Sequence, residues 1–327
     1  MILVTGGTGL VGSHLLRHLV QLGSKIRATR RPDSNLHLIA DIAHAIEWVD
    51  ADLEEPQSLY EAMQGIEQLY HCAALISYAP TDADEMRRIN RQGTANVVDM
   101  ALQAGIKKMV YVSSIAALGR SVKHRDVNEE TPWHDSRLNS NYAISKMLAE
   151  REAWRGIAEG LDTVIVNPSI IIGRGDWQTS SCRLITRIYK GLRFYTNGGT
   201  GFVDVLDLVA IMHQLMNSPI TNQRFVVSAE NWSYKDFFTA VAQNLHKQPP
   251  TIAANKLLSS LAWRLEAIKG KITGSKPLIT RETARNAREF YLYDNQKVKK
   301  ALNFTFRPLN QTIQRVCKEF LDDNVKG

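Results

Sequence analysis

The chain has 327 residues, 44% hydrophobic and 22% charged, which is enough for a large core and two lobes. Its net charge of +7 comes from scattered basic residues, with no run beyond pairs such as Lys107-Lys108 and Lys299-Lys300; this predicts no nucleic-acid partner and suits an anionic small molecule. Cys72, Cys182 and Cys317 form no metal-spaced pair, no apolar stretch approaches the ~20 residues of a membrane span, and no basic leader precedes the first apolar run, so a cytoplasmic globular protein with reduced thiols is expected.

Residues 2–4 are a continuous apolar run, the pattern of a strand buried on both faces. Gly6, Gly9 and Gly12 follow at intervals of three, and residues 13–22 carry Leu15, Leu16, Leu19, Val20 and Leu22 at helical spacing before Gly23. Strand, glycine turn and helix in this order predict a phosphate cradle. The first glycine permits the turn, the second lets backbone approach a pyrophosphate, and the third lets the helix pack on the strand. The helix N-terminus adds free N–H groups. A dinucleotide held by Gly6, Thr8, Gly9, Leu10, Val11 and Gly12 is therefore expected. His14 and His18 have zinc-like spacing, but no third ligand is evident and no metal site is predicted.

The second strand, residues 26–29, runs into Arg30-Arg31. An acidic residue here would bond a ribose 2′-hydroxyl, whereas a guanidinium fork fits a 2′-phosphate. The pair favours NADP(H), while Asp33 just beyond leaves NAD(H) open. Strand patterns at 46–49, 68–72, 108–113 and 163–166 alternate with helical patterns at 56–63, 93–104 and 142–158. Such alternation predicts an α/β fold: a doubly wound parallel sheet (Rossmann) with right-handed crossovers. Strands at 203–204 and 224–227, around a helix at 207–216, are expected to return to that sheet. The dinucleotide-binding domain is assigned to residues 1–169, completed by about 202–229; residues 170–201 and 230–327 are assigned to a smaller, discontinuous C-terminal substrate lobe. Within it, residues 255–269 predict an amphipathic helix that caps the substrate or lies on a membrane surface, with the cap favoured.

Tyr142 and Lys146 stand four residues apart, which on a helix stacks them on one face. A tyrosine with a pKa of about 10 is a poor acid or base at neutral pH, and a nearby ammonium corrects this by favouring the phenolate. Chance also produces such pairs, so their weight comes from company. Asp52-Leu53, His71-Cys72-Ala73-Ala74, the Asn90 to Thr94 segment, the Val112 to Gly119 segment with Ser113-Ser114, Asn167-Pro168, and the Phe202 to Asp207 segment follow in order.

Together with the Gly-x-x-Gly-x-x-Gly turn, this set resembles the extended short-chain dehydrogenase/reductase family (NAD-dependent epimerase/dehydratase family). The nearest branch is the dihydroflavonol-reductase-like and 3β-hydroxysteroid-dehydrogenase-like one, on the strength of residues 257–270 and 276–281. The resemblance implies Ser114, five residues before Gly119, as the catalytic hydroxyl, Tyr142 as acid/base, and Lys146 as ligand of the nicotinamide ribose that also lowers the Tyr142 pKa. It implies cofactor contacts from Asp52, Leu53, Ala73, Ala74, Tyr142, Lys146 and Pro168, with Arg31 on the 2′-phosphate and Arg30 beside it. Ser113 is expected to face away, packing or bonding to backbone, and Glu129 and Glu130 are expected in solvent. Candidates for the pocket wall are Leu75, Ile76, Ser77, Tyr78, Trp133, Trp177, Phe194, Tyr195 and Tyr291, each of which alone reads more readily as core than as a ligand contact; Tyr78, Ser114, Phe194 and Tyr195 are taken as the substrate-contact candidates.

The activity so implied is hydride transfer between NADP(H) and a ketone or secondary alcohol of a relatively apolar small molecule, by a homodimer paired through helices 93–104 and 142–158. Ile115-Ala116 stands where sugar-nucleotide dehydratases carry an acidic pair, which argues against elimination. Two alternatives remain open: an NAD-retaining epimerase of a nucleotide sugar, and a non-catalytic NADPH-sensing regulator, against which the Tyr142–Lys146 pair speaks.

Overall fold

In the computed structural model the N-terminal apolar run forms β1 (Ile2–Thr5), and the glycine turn leads into α1 (Leu10–Gln21). β2 (Ile26–Arg30), β3 (Glu47–Asp50), α2 (Pro56–Ala62), β4 (Gln68–His71), α3 (Ala83–Arg87), α4 (Gly93–Gln103) and β5 (Lys108–Val112) follow. A short β6 (Asp126–Val127) precedes α5 (Asn141–Ala158) and β7 (Thr163–Pro168). Then come β8 (Ile170–Ile172), α6 (Cys182–Tyr189), β9 (Phe194–Tyr195), β10 (Gly199–Asp204), α7 (Val205–Met216), β11 (Gln223–Val227), β12 (Glu230–Ser233), α8 (Tyr234–Asn244) and β13 (Ile252–Ala253). The described chain closes with helix Arg281–Asn286, β14 (Leu292–Tyr293), and helices Gln296–Leu302 and Leu309–Val325. The structure describes residues 1–119, 125–136, 138–255 and 280–325, with residues 258, 263 and 264. The helix expected at 255–269 and the segments 257–270 and 276–279 lie essentially outside the described residues.

Seven parallel strands form the main sheet in the order β11-β7-β5-β4-β1-β2-β3. Alternate residues feed opposite faces, as strand geometry requires. Val4, Val110 and Val166 join Leu15, Leu16 and Leu19 of α1 and Leu208 and Met212 of α7 on one side. Leu3, Leu69 and Ile165 join Leu59 of α2, Val97 and Val98 of α4, and Ala149 and Ala153 of α5 on the other. The sheet is therefore doubly wound, a Rossmann-like α/β fold. The strand order reverses between β1 and β4, which opens a crevice at their carboxyl ends, the usual ligand site of such sheets.

One expectation is corrected. Residues 203–204 do not return to the main sheet; they belong to β10, which pairs with β8 and β12 in a separate three-stranded sheet. The free edge of β7 is taken by β11 instead, down to the pair Val227↔Pro168. Beyond Pro168 the chain passes Ser169 into β8, and β10 follows it there. This second sheet has its own core, where Phe202 stacks on Phe237 at 4.3 Å beside Ile185, Ile188, Ile313 and Phe320. Among the described residues no helix is long and apolar enough to cross a membrane.

Candidate active site

The glycine turn is shaped by contacts that only glycine allows. Gly6 has φ 70, and a Cβ on it would sit 2.7 Å from the backbone of Ala73, so the β1–α1 turn touches the end of β4 directly. A Cβ on Gly12 would meet the Gly6 carbonyl oxygen at 2.1 Å. Gly9 differs: the nearest atom to a Cβ there is the Gly6 oxygen, at an ordinary 3.5 Å. Gly9 is the N-cap of α1 and no side chain caps the helix, so no capping side chain takes the first-turn N–H groups, and the space beside Gly9 is open. Exposed backbone, free N–H groups and a missing side chain fit a pyrophosphate.

Beneath this turn lies a histidine that the sequence placed only as part of a segment. His71 is fully buried; its Nδ1 bonds Thr5 Oγ1 at 2.7 Å and its Nε2 bonds Thr94 Oγ1 at 3.1 Å. Burial, reinforced by the Lys146 charge, pushes the imidazole down to about 3. The ring is a neutral tie between β1, β4 and α4.

Beyond β3, Asp52 Oδ1 accepts the Glu54 N–H at 2.9 Å, and Leu53 lies against Gly93, where a Cβ would be 2.8 Å from its own. Arg30 and Asp50 are register partners on β2 and β3, and Arg30 Nε donates to Asp50 Oδ1 at 3.2 Å. Arg31 is exposed at the strand end, with its backbone N–H on Ser34 Oγ.

Ser140 caps α5 by accepting the Ala143 N–H, and the helix carries Tyr142 and Lys146 on one face. Lys146 is buried; its Nζ donates to the Val112 carbonyl at 2.9 Å and to the Tyr111 hydroxyl at 3.1 Å. Burial pushes this ammonium down to about 8, opposed by the Glu150 carboxylate. Tyr142 is half-buried, and its ring lies 5.7 Å from that of exposed Tyr78. Ser114 stands two residues beyond the end of β5 and caps the turn Ile115–Ala117, against which α5 packs. Its Oγ accepts the Ala116 N–H at 3.1 Å, a bond that uses a lone pair and not the hydroxyl proton. The Lys146–Val112 bond thus joins the Tyr-Lys helix to the strand end bearing Ser114.

Two sequence expectations fail nearby. Ser113 does face away, yet its hydroxyl donates to Glu150 Oε2 at 2.6 Å, not to backbone. Glu129 is not in solvent: it is buried, and its Oε1 accepts the Val226 N–H at 2.7 Å. β11 is the edge of the main sheet and its N–H groups need partners, which Glu129 supplies. Glu130 is exposed. A further residue was read from sequence only as a helix start. Asn90 sits in a π-helical turn, Arg88–Gln92; it accepts the Leu75 N–H at 2.7 Å and donates to Leu75 O and to Ser145 Oγ. It links the loop that leads to Tyr78 with α5.

Of the remaining candidates, Tyr195 packs on the second core with Lys235 Nζ 5.3 Å from its ring centre, and Phe194 is exposed. Trp177 stands edge-on to Phe320 and Tyr291 lies buried beside Ile115 and Val226, so both serve packing. His14 bonds the Arg174 carbonyl and His18 meets the His213 ring; among the described residues no group of three or more His, Cys, Asp or Glu gathers as a metal site.

The model of the NAD dependent epimerase/dehydratase family matches residues 2–228. The chain belongs to that family. It is an enzyme of the extended short-chain dehydrogenase/reductase type, whose cofactor is NAD(P). A candidate dihydroflavonol 4-reductase of Synechocystis sp. is 30% identical over 317 residues, spanning 95% of this chain and 91% of that protein. Tetraketide alpha-pyrone reductase 2 of Arabidopsis thaliana is 33% identical over 259 residues, 71% of this chain and 79% of its own. Among solved structures, the crystal structure of gox2253 superposes with a TM-score of 0.83 at 29% identity, covering 99% of this chain and 98% of that one.

Proposed function

We propose that this family member is an NADP(H)-dependent oxidoreductase acting on a ketone or secondary alcohol of a relatively apolar small molecule, with Tyr142 as acid/base. The bond from Lys146 Nζ to Val112 O carries the reading, because it holds the Tyr-Lys face of α5 at the strand end that bears Ser114. A nicotinamide cofactor would be held by Gly6, Thr8, Gly9, Leu10, Val11, Gly12, Asp52, Leu53, Ala73, Ala74, Tyr142, Lys146 and Pro168, and would supply or take up the hydride. Ser114 orients the reacting oxygen with its hydroxyl proton. Tyr142 gives its Oη proton to that oxygen in reduction and removes it in oxidation. The Lys146 ammonium, on the same helix face, favours the phenolate between these steps.

Arg31, exposed at the end of β2, is the ligand proposed for a 2′-phosphate, with Arg30 beside it on Asp50. Net reduction is supported by the two similar reductases and by Ile115-Ala116 in place of acids after Ser114. Residues 170–201 and 230–327 are proposed as the substrate lobe. Tyr78, whose ring neighbours that of Tyr142, is the first substrate contact, followed by Phe194 and Tyr195. A cytoplasmic homodimer paired through α4 and α5 completes the proposal.

The test is NADPH oxidation across aryl, alkyl and steroid-like ketones, with Tyr142→Phe as control. The variant is expected to bind NADPH normally and to lose turnover by about 10³-fold. More than a tenth of wild-type activity in that variant would remove Tyr142 from its role. Tightly held NAD that co-purifies, with no NADPH consumed on any carbonyl, would overturn the reductase in favour of an epimerase.

A further inference from the structure

Tyr142, Lys146 and Glu150 stand at i, i+4 and i+8 on α5, so a third ionisable side chain continues the Tyr-Lys face one turn inward. Glu150 is buried, and four donors converge on it. Ser113 Oγ and Asn167 Nδ2 each reach Oε2 at 2.6 Å; Arg224 Nη1 reaches Oε1 at 3.0 Å, and Trp154 Nε1 reaches it at 3.4 Å. In each of these bonds a Glu150 oxygen is the acceptor. Asn167 Nδ2 also donates to the Ser114 carbonyl at 3.0 Å, so its orientation is set by two acceptors. One carboxylate therefore reaches Ser113 directly and Ser114 through a single amide.

We propose that Glu150 is a positioning residue for the Ser114–Tyr142–Lys146 unit, holding the Ser113-Ser114 strand end in place and keeping Lys146 charged. This rests on the catalytic reading above. The groups facing Lys146 support it. Tyr142 and Glu150 lie on its own helix, and β5 presents the Tyr111 hydroxyl and the Val112 carbonyl. From the end of β4 come His71 and Cys72; burial pushes the thiol up to about 12 and the imidazole down to about 3, so both are neutral at working pH. Glu150 then supplies the negative charge that opposes the burial of Lys146. The charges facing Glu150 itself are Lys146 and Arg224, and Arg224 is held in turn by the Glu129 carbonyl. The cluster borders a cavity of about 360 Å³, lined by Glu150, Trp154 and Arg224 among others.

The test needs no identified substrate. The titration of Lys146 is followed by NMR of the protein labelled at lysine Cε, with Lys146→Met for assignment. In Glu150→Gln the midpoint is expected to fall by about one pH unit, since a neutral isostere removes the favourable charge. Ser113→Ala removes a hydrogen bond and no charge, and should leave the midpoint in place. Glu150→Asp retains the charge and should keep the midpoint near that of wild type; if the Gln variant does not fold, Glu150→Ala takes its place with the same downward shift expected. A midpoint unmoved in the neutral variant, or moved as far by Ser113→Ala, overturns the proposal. Retained turnover in Tyr142→Phe would instead strike the catalytic reading, leaving the Lys146 titration to stand or fall on its own.

Discussion

Alanine at Gly9 and alanine at Gly12 should fail for different reasons. At Gly12 a Cβ would lie 2.1 Å from the Gly6 carbonyl oxygen and 2.8 Å from Gly7 Cα, both backbone atoms that cannot rotate away. Relief requires α1 to move off β1, an overpacking that costs about 3 kcal/mol. For a chain of this size the melting temperature should drop by roughly 5 °C. At Gly9 the nearest contact is an ordinary 3.5 Å, and φ −85 with ψ 176 is a conformation alanine adopts freely. The only cost to the fold is that of a poorer N-cap, under about 1 kcal/mol. Yet the added methyl stands on the open ground before the first-turn N–H groups, so NADPH affinity should fall at least about tenfold, equivalent to about 1.4 kcal/mol. Calorimetric melting without cofactor and fluorescence titration with NADPH separate the two effects. Equal destabilisation by both variants, or wild-type affinity in Gly9→Ala, would refute the division of labour.

Arg31→Ala should weaken NADP(H) far more than NAD(H) in paired titrations; equal losses would remove the reason for assigning a 2′-phosphate to that side chain. His71 makes the protein sensitive to acid. Its folded pKa is depressed from 6.5 to about 3, so its contribution is whole above pH 6.5 and is lost as pH falls toward 3. Urea midpoints of His71→Asn should therefore vary less than wild type between pH 6.5 and 4, and parallel curves would contradict this. Glu129→Ala should cost about 2 kcal/mol by leaving the Val226 N–H buried and unpaired, while Glu129→Gln, which keeps an acceptor, should cost much less in the same assay.

Features legible in the sequence were those whose cause is local. Leu3 and Val4 alternate between two cores, the glycines are spaced for one turn, and Tyr142 and Lys146 share a helix face. These patterns led directly to a doubly wound sheet and to the candidate site proposed above. Hidden features depend on distant partners. Glu129 reads as a surface acid until β11 arrives 97 residues later with an N–H to satisfy. Glu150 reads as one more charge on a long helix until β5, β7 and β11 each bring a donor to it. β10 has the composition of a strand of the main sheet, and only the occupation of the β7 edge by β11 sends it elsewhere. Asn90 gave no sign of its π turn or of its partners, Leu75 in a loop and Ser145 on α5.

The seam between the two sheets has a mechanical meaning. The chain crosses it at Ser169 and again at Ser228-Ala229, where Ser169 N–H bonds Val227 O and Ala229 N–H bonds Phe202 O. Gly201 is wedged against both crossings, since a Cβ there would strike Ser228 Oγ at 2.2 Å and Ser169 Cβ at 3.0 Å. The two crossings are thus pinned at one point, and sliding one sheet along the other would break both bonds and press Gly201 against Ser169 or Ser228. The seam resists shear.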